Sequence, residues 1–405
     1  MKVYVFDLMA YGRPFEEFTA DRYIPYPLPR KYFDREVAAR TFEEHLAAWR
    51  EMDRLGFDGV GLNEHHTTVH GLMNSPNMMA AVASQQTERL KFLMLGNLLP
   101  LHNPLRIAEE IAMADCMSRG RILSGFARGN AREYGVYGVD ASESRARFEE
   151  AYDIILKAWT EEQFSYEGKF WQMKDVAIWP RPYQQPYPPI WIPFTGSKET
   201  IEWTGKNNLS AVMIDHSPGM TEDVVGLFAT SLAKHGHRIT PDHICVLTDA
   251  FVAESKERAI AEYGPSYLYY VQTLWHHGTI TERGETRPDG AGYVTSNSYD
   301  YLRPENRGAA RMDRGRIRNT TLADVEARVA GGRLNWGSAK DVAAHLIATA
   351  DRVGAESVLL NMNVGALPHE LFIEQIRRFG TEVLPILHAH RVTRVPGVDR
   401  GGIVP

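Results

Sequence analysis

Short apolar runs alternate with longer amphipathic segments along most of the chain. Eight runs have the length and composition of buried strands: residues 3–9, 57–62, 90–99, 122–127, 188–194, 209–214, 244–253 and 357–362. Between them, apolar residues recur at helical spacing, which is typical of the α/β class. No Gly-x-Gly-x-x-Gly follows the first run. We therefore predict a closed (β/α)8 TIM-type barrel with insertions in the βα loops rather than a doubly wound open sheet.

Local signals place the starts of several helices. Thr41 with Glu44 three residues later forms a capping box, and Ser338 with Asp341 forms a second. Asn103-Pro104 supplies an N-cap followed by proline in the first helical position. We expect helices to begin at these three points.

The predicted domain organisation is one barrel over residues 1–390. Residues 276–319 are rich in Gly, Arg, Asp, Pro and Tyr and have little periodicity, so we expect an irregular insertion there that could act as a lid. Residues 391–405 are expected to form a C-terminal tail.

Composition narrows the possible functions. The 405 residues carry a formal net charge of −6, which gives no basic surface for nucleic acid or an anionic membrane. No apolar stretch reaches transmembrane length. Cys116 and Cys245 lie far apart in apolar patterns, so we expect buried core thiols rather than a disulfide or a metal pair. These features predict a cytoplasmic enzyme.

In a barrel, functional groups lie at the C-terminal ends of the strands. Four such ends carry polar or conformationally special residues: Glu64-His65-His66, Gly96-Asn97, Arg128-Gly129-Asn130 and Gly196-Ser197. Gly96 and Asn97 interrupt an apolar run, which indicates a bulge or the close approach of a planar ligand, with a packing glycine as the alternative. Their shared end of the barrel predicts a site there.

Two of these strand ends predict a phosphate site. Arg128 offers a planar, permanent cation. Gly196, Ser197 and Thr200 lie where a strand becomes a helix, so unpaired backbone N–H groups, the helix dipole and hydroxyls all favour an anion. A structural ion pair for Arg128 and an ordinary N-cap for Ser197 are the alternatives.

His65 and His66 are adjacent in an extended segment, so their side chains point to opposite sides. Neither His-x-His nor His-Glu-x-x-His spacing is present at this strand end, which argues against a metal site there. A catalytic or substrate-orienting histidine is favoured for one of them. Hydrogen-bonded structural histidines, and a metal-dependent barrel hydrolase using His65, His66 and nearby carboxylates, are alternatives.

The order of the motifs resembles the bacterial luciferase-like, flavin-dependent monooxygenase family over nearly the whole length. The stretches that carry the resemblance are Phe57-Asp58-Gly59 through Asn63-Glu64-His65-His66, Leu99 to Glu109, Met117 to Arg121 into Ala127-Arg128-Gly129, Tyr137 to Asp140, Trp191 to Thr200 with Trp203, and Val383-Leu384-Pro385.

The resemblance implies a barrel that binds reduced FMN. The phosphate would lie among the residues that match the family pattern, namely Arg128, Gly129, the backbone near Asn130, Gly196, Ser197 and Thr200. The isoalloxazine would pack at Gly96 and Asn97, where family members often carry a non-proline cis peptide. His65 matches the catalytic histidine that assists formation or breakdown of the flavin C4a-peroxide. Gly196 replaces a glutamate of luciferase itself.

The activity that the resemblance implies is a two-component monooxygenase. A separate flavin reductase would supply reduced FMN, O2 would be the oxidant, and a small, apolar organic molecule would be the substrate of a homodimer. One alternative within the family is hydride transfer with the deazaflavin F420. Another is a non-catalytic flavin-binding protein, against which the retention of His65 speaks.

Overall fold

A computed structural model describes residues 1–19, 24, 27–194, 196–215, 219–274 and 319–398. The predicted insertion therefore lies outside the described residues except for Asn319, as do residues 399–405 of the predicted tail. Within the described tail, Val392 and Val395 are buried, so this part packs against the rest of the fold.

The strands of the described residues are, in chain order, β1 Lys2–Asp7, β2 Gly59–Leu62, β3 Lys91–Met94, β4 Asn97–Leu98, β5 Ile122–Ala127, β6 Phe164–Glu167, β7 Gln172–Val176, β8 Ile190–Phe194, β9 Ser210–Ile214, β10 Ile244–Asp249, β11 Phe251–Val252, β12 Trp336–Gly337 and β13 Ser357–Asn361. Eight of them pair in parallel in the order β3-β2-β1-β13-β10-β9-β8-β5, and β3 pairs with β5 to close the sheet. The predicted (β/α)8 barrel is confirmed.

The helices are α1 Arg35–Leu55, α2 Pro76–Ser84, α3 Pro104–Ser118, α4 Ala131–Tyr137, α5 Ser144–Thr160, α6 Lys198–Lys206, α7 Met220–Lys234, α8 Lys256–Gln272, α9 Leu322–Ala330, α10 Ala339–Val353, α11 His369–Arg378 and α12 Leu384–Ala389. A π-helical segment, Phe379–Val383, joins the last two. In the described part of the chain, no helix combines the length and the apolar character needed to cross a membrane.

Two of the three predicted helix starts are confirmed. Asn103 caps α3 and Ser338 caps α10 through their side chains. The start at Thr41 is wrong, because the Asp34 carboxylate already accepts from the backbone N–H groups of Glu36 and Val37. Thr41 lies inside α1, where its hydroxyl donates to the Val37 carbonyl at 2.8 Å.

The barrel interior is filled by side chains from different strands. One buried cluster there comprises Tyr4, Leu93, Leu123, Trp191, Val212, Cys245 and Leu359. Phe6, Leu95 and Leu247 are partly buried and pack against this cluster. Cys245 is buried as predicted, whereas Cys116 is only partly buried, because it lies on α3, where its thiol donates to the Arg181 carbonyl.

Backbone packing explains the glycine in the third predicted strand. A Cβ on Gly125 would lie 1.7 Å from the Met94 carbonyl oxygen, and one on Gly96 would lie 2.9 Å from that of Gly125. Gly96 therefore closely approaches β5, which the packing-glycine alternative expected. The Leu95–Gly96 peptide is cis, as the resemblance implied. The predicted strand 90–99 is accordingly split into β3 and β4.

Candidate functional site

A cavity of ≈ 250 Å³ opens at the C-terminal end of the barrel, where β5 and β8 lie side by side. Its barrel side is apolar and includes Phe6, Leu95, Leu247 and Leu359. Its other side is polar and cationic and is formed by Arg128, Gly129, Arg145, Ser197 and Thr200. The cavity thus combines an apolar lining with a cluster of donors.

Arg128 follows the last residue of β5, and its carbonyl accepts from the Tyr134 hydroxyl at 2.7 Å. Gly129 has a φ of +92°, which turns the chain into α4. Asn130 caps that helix in a capping box with Glu133, and its own N–H donates to the Glu133 carboxylate at 2.9 Å. This N–H is therefore bound within the fold, so Asn130 supports the turn rather than the cavity.

A second arginine, Arg145, completes the cationic side and was missed by the sequence analysis. It lies in the first turn of α5, and its Nη2 donates to the Thr200 hydroxyl at 3.0 Å. Burial and the positive charge of Arg128 lower the pKa of Arg145. A cation in the first helical turn opposes the helix dipole, and this unfavourable placement was the available sequence signal.

The start of α6 faces these arginines. Gly196, with a φ of +115°, leads into Ser197, the N-cap residue of α6. The Ser197 side chain makes no capping bond, so the ordinary N-cap alternative is wrong. Its buried Oγ, like the Nε of Arg145, has no hydrogen-bond partner among the described residues. Thr195, which precedes Gly196, lies outside the described residues.

These donors fit an anion. Buried polar atoms are normally hydrogen-bonded, so the two orphaned groups indicate a ligand that supplies acceptors. Two guanidinium groups, two hydroxyls and a helix N-terminus together suit a phosphate group.

His65 follows β2 at another part of the barrel mouth, and its side chain is 26% exposed. Its Nδ1 lies 3.2 Å from Oε1 of Glu133, a carboxylate with no exposed surface. The ring of His70 lies 4.6 Å away. Because Glu133 accepts at Nδ1, the Nε2 atom remains available for proton transfer. Glu133 was missed because the sequence signals did not predict the helix α4.

His66 has different partners from His65 and joins a buried hydrogen-bonded cluster. Its Nε2 lies 2.8 Å from Oε1 of Glu64, and Nε2 of His102 lies 2.5 Å from the same oxygen. The Tyr137 hydroxyl bonds to Nδ1 of His66 at 2.9 Å.

The charges within this cluster stabilise each other. Burial alone would raise the pKa of Glu64, but hydrogen bonds from His102 and His66 hold it below its ordinary value. Burial would lower the pKa of His102, but the hydrogen bond to Glu64 raises it. The ligand atoms of Glu64, His66 and His102 lie within 4.8 Å of one another, close enough to hold a cation. Among the described residues His65 is not a member, so they do not form the metal site of the hydrolase alternative, which would use both His65 and His66.

Asn97 does not present its side chain to the cavity. It is 1% exposed, and its Nδ2 lies 3.6 Å from the Met94 sulfur. Leu95, on the other side of the cis peptide bond from Gly96, lines the cavity instead. The predicted groups thus separate into a cationic side with Arg128, Gly129, Ser197 and Thr200, and a histidine side with His65.

The sequence model of the family described as luciferase-like monooxygenase matches residues 28–357. Uncharacterized protein y4wF of Sinorhizobium fredii is 35% identical over 182 residues, which cover 45% of this chain and 53% of that protein. The oxygenase component of the flavin-dependent trigonelline monooxygenase of Acinetobacter baylyi is 26% identical over 242 residues, which cover 58% and 66%. The matched segments thus span about half to two thirds of these relatives.

Solved structures share the fold. The oxygenating constituent of 3,6-diketocamphane monooxygenase from Pseudomonas putida, in complex with FMN, has a TM-score of 0.72 at 18% identity, with 95% of this chain and 98% of that chain covered. An F420-dependent secondary alcohol dehydrogenase has a TM-score of 0.62 at 13% identity, with 95% and 98% covered.

Proposed function

This chain belongs to the luciferase-like monooxygenase family, and from that premise we propose that it binds reduced FMN and uses O2 to oxidise a small organic substrate. The observation that carries the proposal is the cationic side of the cavity, where buried Arg145 and Ser197 atoms lack partners among the described residues. Reduced FMN, when bound, supplies the electrons that activate O2.

The donor set favours FMN over F420. FMN ends in a doubly charged phosphate monoester, whereas the phosphate of F420 is a singly charged diester that continues into a longer tail. Arg128 and Arg145 together supply two positive charges around one cavity end. We therefore assign Arg128, Arg145, Ser197 and Thr200 to the phosphate and the apolar surface around Leu95 to the ring system.

His65 is the proposed catalytic residue. It has a partly exposed imidazole whose Nδ1 is engaged by buried Glu133, so Nε2 can hold or move a proton at the barrel mouth. The apolar lining of the cavity supports a substrate with an apolar body.

We further propose that a separate reductase supplies the reduced flavin. The relative from Acinetobacter baylyi is named as an oxygenase component, which supports a two-component arrangement here. Turnover should then require added reduced FMN or a flavin reductase, and turnover with nicotinamide cofactor alone would contradict this division.

A homodimer is proposed through α2 and α3, which pack against each other. Their surface exposes Met78, Val82, Met113 and Met117, two pairs at i, i+4 spacing. Met113→Lys should shift the sedimentation profile from dimer toward monomer. Leu227→Lys, at a similarly exposed site on α7, is the control and should leave the profile unchanged. An unchanged profile for Met113→Lys would refute this interface.

The cofactor assignment is tested by anaerobic titration with reduced FMN, reduced riboflavin and reduced F420. Arg128→Ala should weaken FMN binding about 100-fold, since charge-assisted hydrogen bonds of about 1.5–3 kcal/mol are lost. Riboflavin, which has no phosphate, should be affected little. Arg147→Ala is the matched control, because Arg147 pairs with Glu143 outside the cavity. Equal losses for both flavins, or preferential binding of F420, would overturn the assignment.

A further inference from the structure

The barrel mouth holds a second pair of polar side chains, which the phosphate site and His65 do not use. Asp249 ends β10 and Asn361 ends β13, and the two are paired in register. One step below them in the same two strands, Leu247 and Leu359 line the cavity. Because side chains alternate along a strand, Asp249 and Asn361 face inward as the next layer toward the mouth.

This pair lies across the barrel from the phosphate site. In the strand order, β13 is four steps from β5 in either direction, through β8, β9 and β10 or through β3, β2 and β1. Arg128 follows β5, so Asn361 is diametrically opposite it. A ligand whose phosphate is bound by Arg128 and Arg145 would lie over the apolar lining of the cavity. Asp249 and Asn361 would then be close to the opposite end of that ligand, or to a substrate bound next to that end.

The pair is incompletely hydrogen-bonded. The Asn361 amide donates to the Asp249 carboxyl, while Oδ1 of Asn361 is buried and has no hydrogen-bond partner among the described residues. An orphaned buried acceptor beside a carboxyl group indicates a ligand with a matching donor.

The surroundings of Asp249 favour its neutral form. Burial raises the pKa of Asp249 to about 7, despite the hydrogen bond from Asn361 and the charge of Arg328 on α9. Among the described residues, the other titratable groups that face it are Tyr263, Tyr267 and Tyr270 of α8, whose pKa values are raised by burial and then by the charge of Asp249. A neutral carboxyl in such a site can donate a hydrogen bond.

We propose that Asp249 and Asn361 form a substrate-recognition subsite for a neutral amide or lactam group. The Asp249 carboxyl donates to the carbonyl oxygen of the ligand, and Oδ1 of Asn361 accepts from its N–H. The assignment of this group to the substrate rests on the proposed function, whereas its binding does not. The amide or lactam group would be one polar group on an otherwise apolar substrate.

The test measures binding of three matched probes, benzamide, acetophenone and toluene, to the full-length protein by ligand-observed NMR at pH 6. Benzamide engages both groups, acetophenone only the donor, and toluene neither. We expect benzamide to bind about tenfold more tightly than toluene, with acetophenone between them. Asp249→Leu should remove the preference for both polar probes. Asn361→Leu should remove the advantage of benzamide over acetophenone.

Repeating the titrations at pH 8.5 separates recognition from a structural role. The Asp249 carboxyl loses the proton that it donates as the pH rises through about 7. The preference of the wild type for the polar probes over toluene should therefore decline. Asp249→Asn keeps a donor at every pH and should retain the preference at both values. Asp242→Asn, an exposed site just before the opposite end of β10, is the control and should behave as wild type.

Absence of measurable benzamide binding, or an undiminished preference in Asp249→Leu, overturns the proposal. Binding of reduced FMN is titrated anaerobically with the same protein preparations. Failure of the wild type to bind reduced FMN, with an intact benzamide preference, would refute the proposed function and leave the subsite. Normal FMN binding without that preference would refute the subsite alone.

Discussion

The two sides of the barrel mouth handle charge in opposite ways. On the side of β5 and β8, Arg128 and Arg145 are brought together, and burial and their mutual repulsion lower the pKa of Arg145. Elsewhere at the mouth, buried or partly buried carboxyl groups are each bound to a neutral or titratable partner: Glu64 to His66 and His102, Glu133 to His65, and Asp249 to Asn361.

The difference indicates what each side binds. Like charges held together are favourable only when a ligand brings the opposite charge, so the cationic side is suited to a phosphate. The carboxylates of the other side are already compensated, so a ligand there needs no charge of its own. That side is suited to proton transfer and to neutral substrates.

Removing the charge of Arg145 tests the cationic side alone. Arg145→Met keeps much of the side-chain volume but removes the charge, and we expect FMN to bind about 30-fold more weakly, because one charge-assisted contact is lost. Riboflavin affinity should change less than about twofold. The measurement is an anaerobic titration with reduced FMN and reduced riboflavin.

Arg147→Met is the control, since Arg147 lies two residues further along α5 and stacks on Phe170. An equal loss of affinity for riboflavin would mean that Arg145 supports the fold rather than the phosphate.

The sequence predicted the cationic side better than the histidine side. Arg128, Ser197 and Thr200 adjoin or follow strand ends, and a strand end followed by a helix start is a local pattern. Arg145 is brought to them from α5, and its distance in the chain hides the contact. In the sequence, only its position in the first turn of α5 distinguishes Arg145 from other arginines.

The other side depends on contacts between distant segments. Glu133 meets His65 across 68 positions of sequence, and it lies in a helix of seven residues that shows too little periodicity to be recognised. Asp249 was hidden for another reason. Residues 244–253 were read as one strand, whereas β10 ends at Asp249 and β11 pairs with β12 in a separate sheet. The correct strand end would have placed Asp249 at the mouth.

A smaller effect, on the stability of the fold, is expected from a change in the cluster of Glu64, His66 and His102. Glu64→Gln removes the charge that His66 and His102 share, whereas the arginines are untouched. The lowered pKa of Glu64 means that its contribution to stability is present above about pH 4.5 and is lost as the pH falls. The raised pKa of His102 means that its contribution is present below about pH 6.5 and is lost at higher pH.

The two contributions overlap between about pH 4.5 and 6.5. Urea unfolding at pH 5.5 should therefore show a loss of about 2 kcal/mol for Glu64→Gln, with a smaller loss at pH 8. Glu374→Gln, which removes an exposed ion pair with Arg378, should change stability by less than about 0.5 kcal/mol at either pH.

FMN affinity of Glu64→Gln should remain at the wild-type value, because the cluster of Glu64, His66 and His102 does not touch the cationic side. A loss of stability that is equal at both pH values would show that Glu64 and His102 are not paired as charges, and a loss of FMN affinity would show that the two sides of the mouth are coupled.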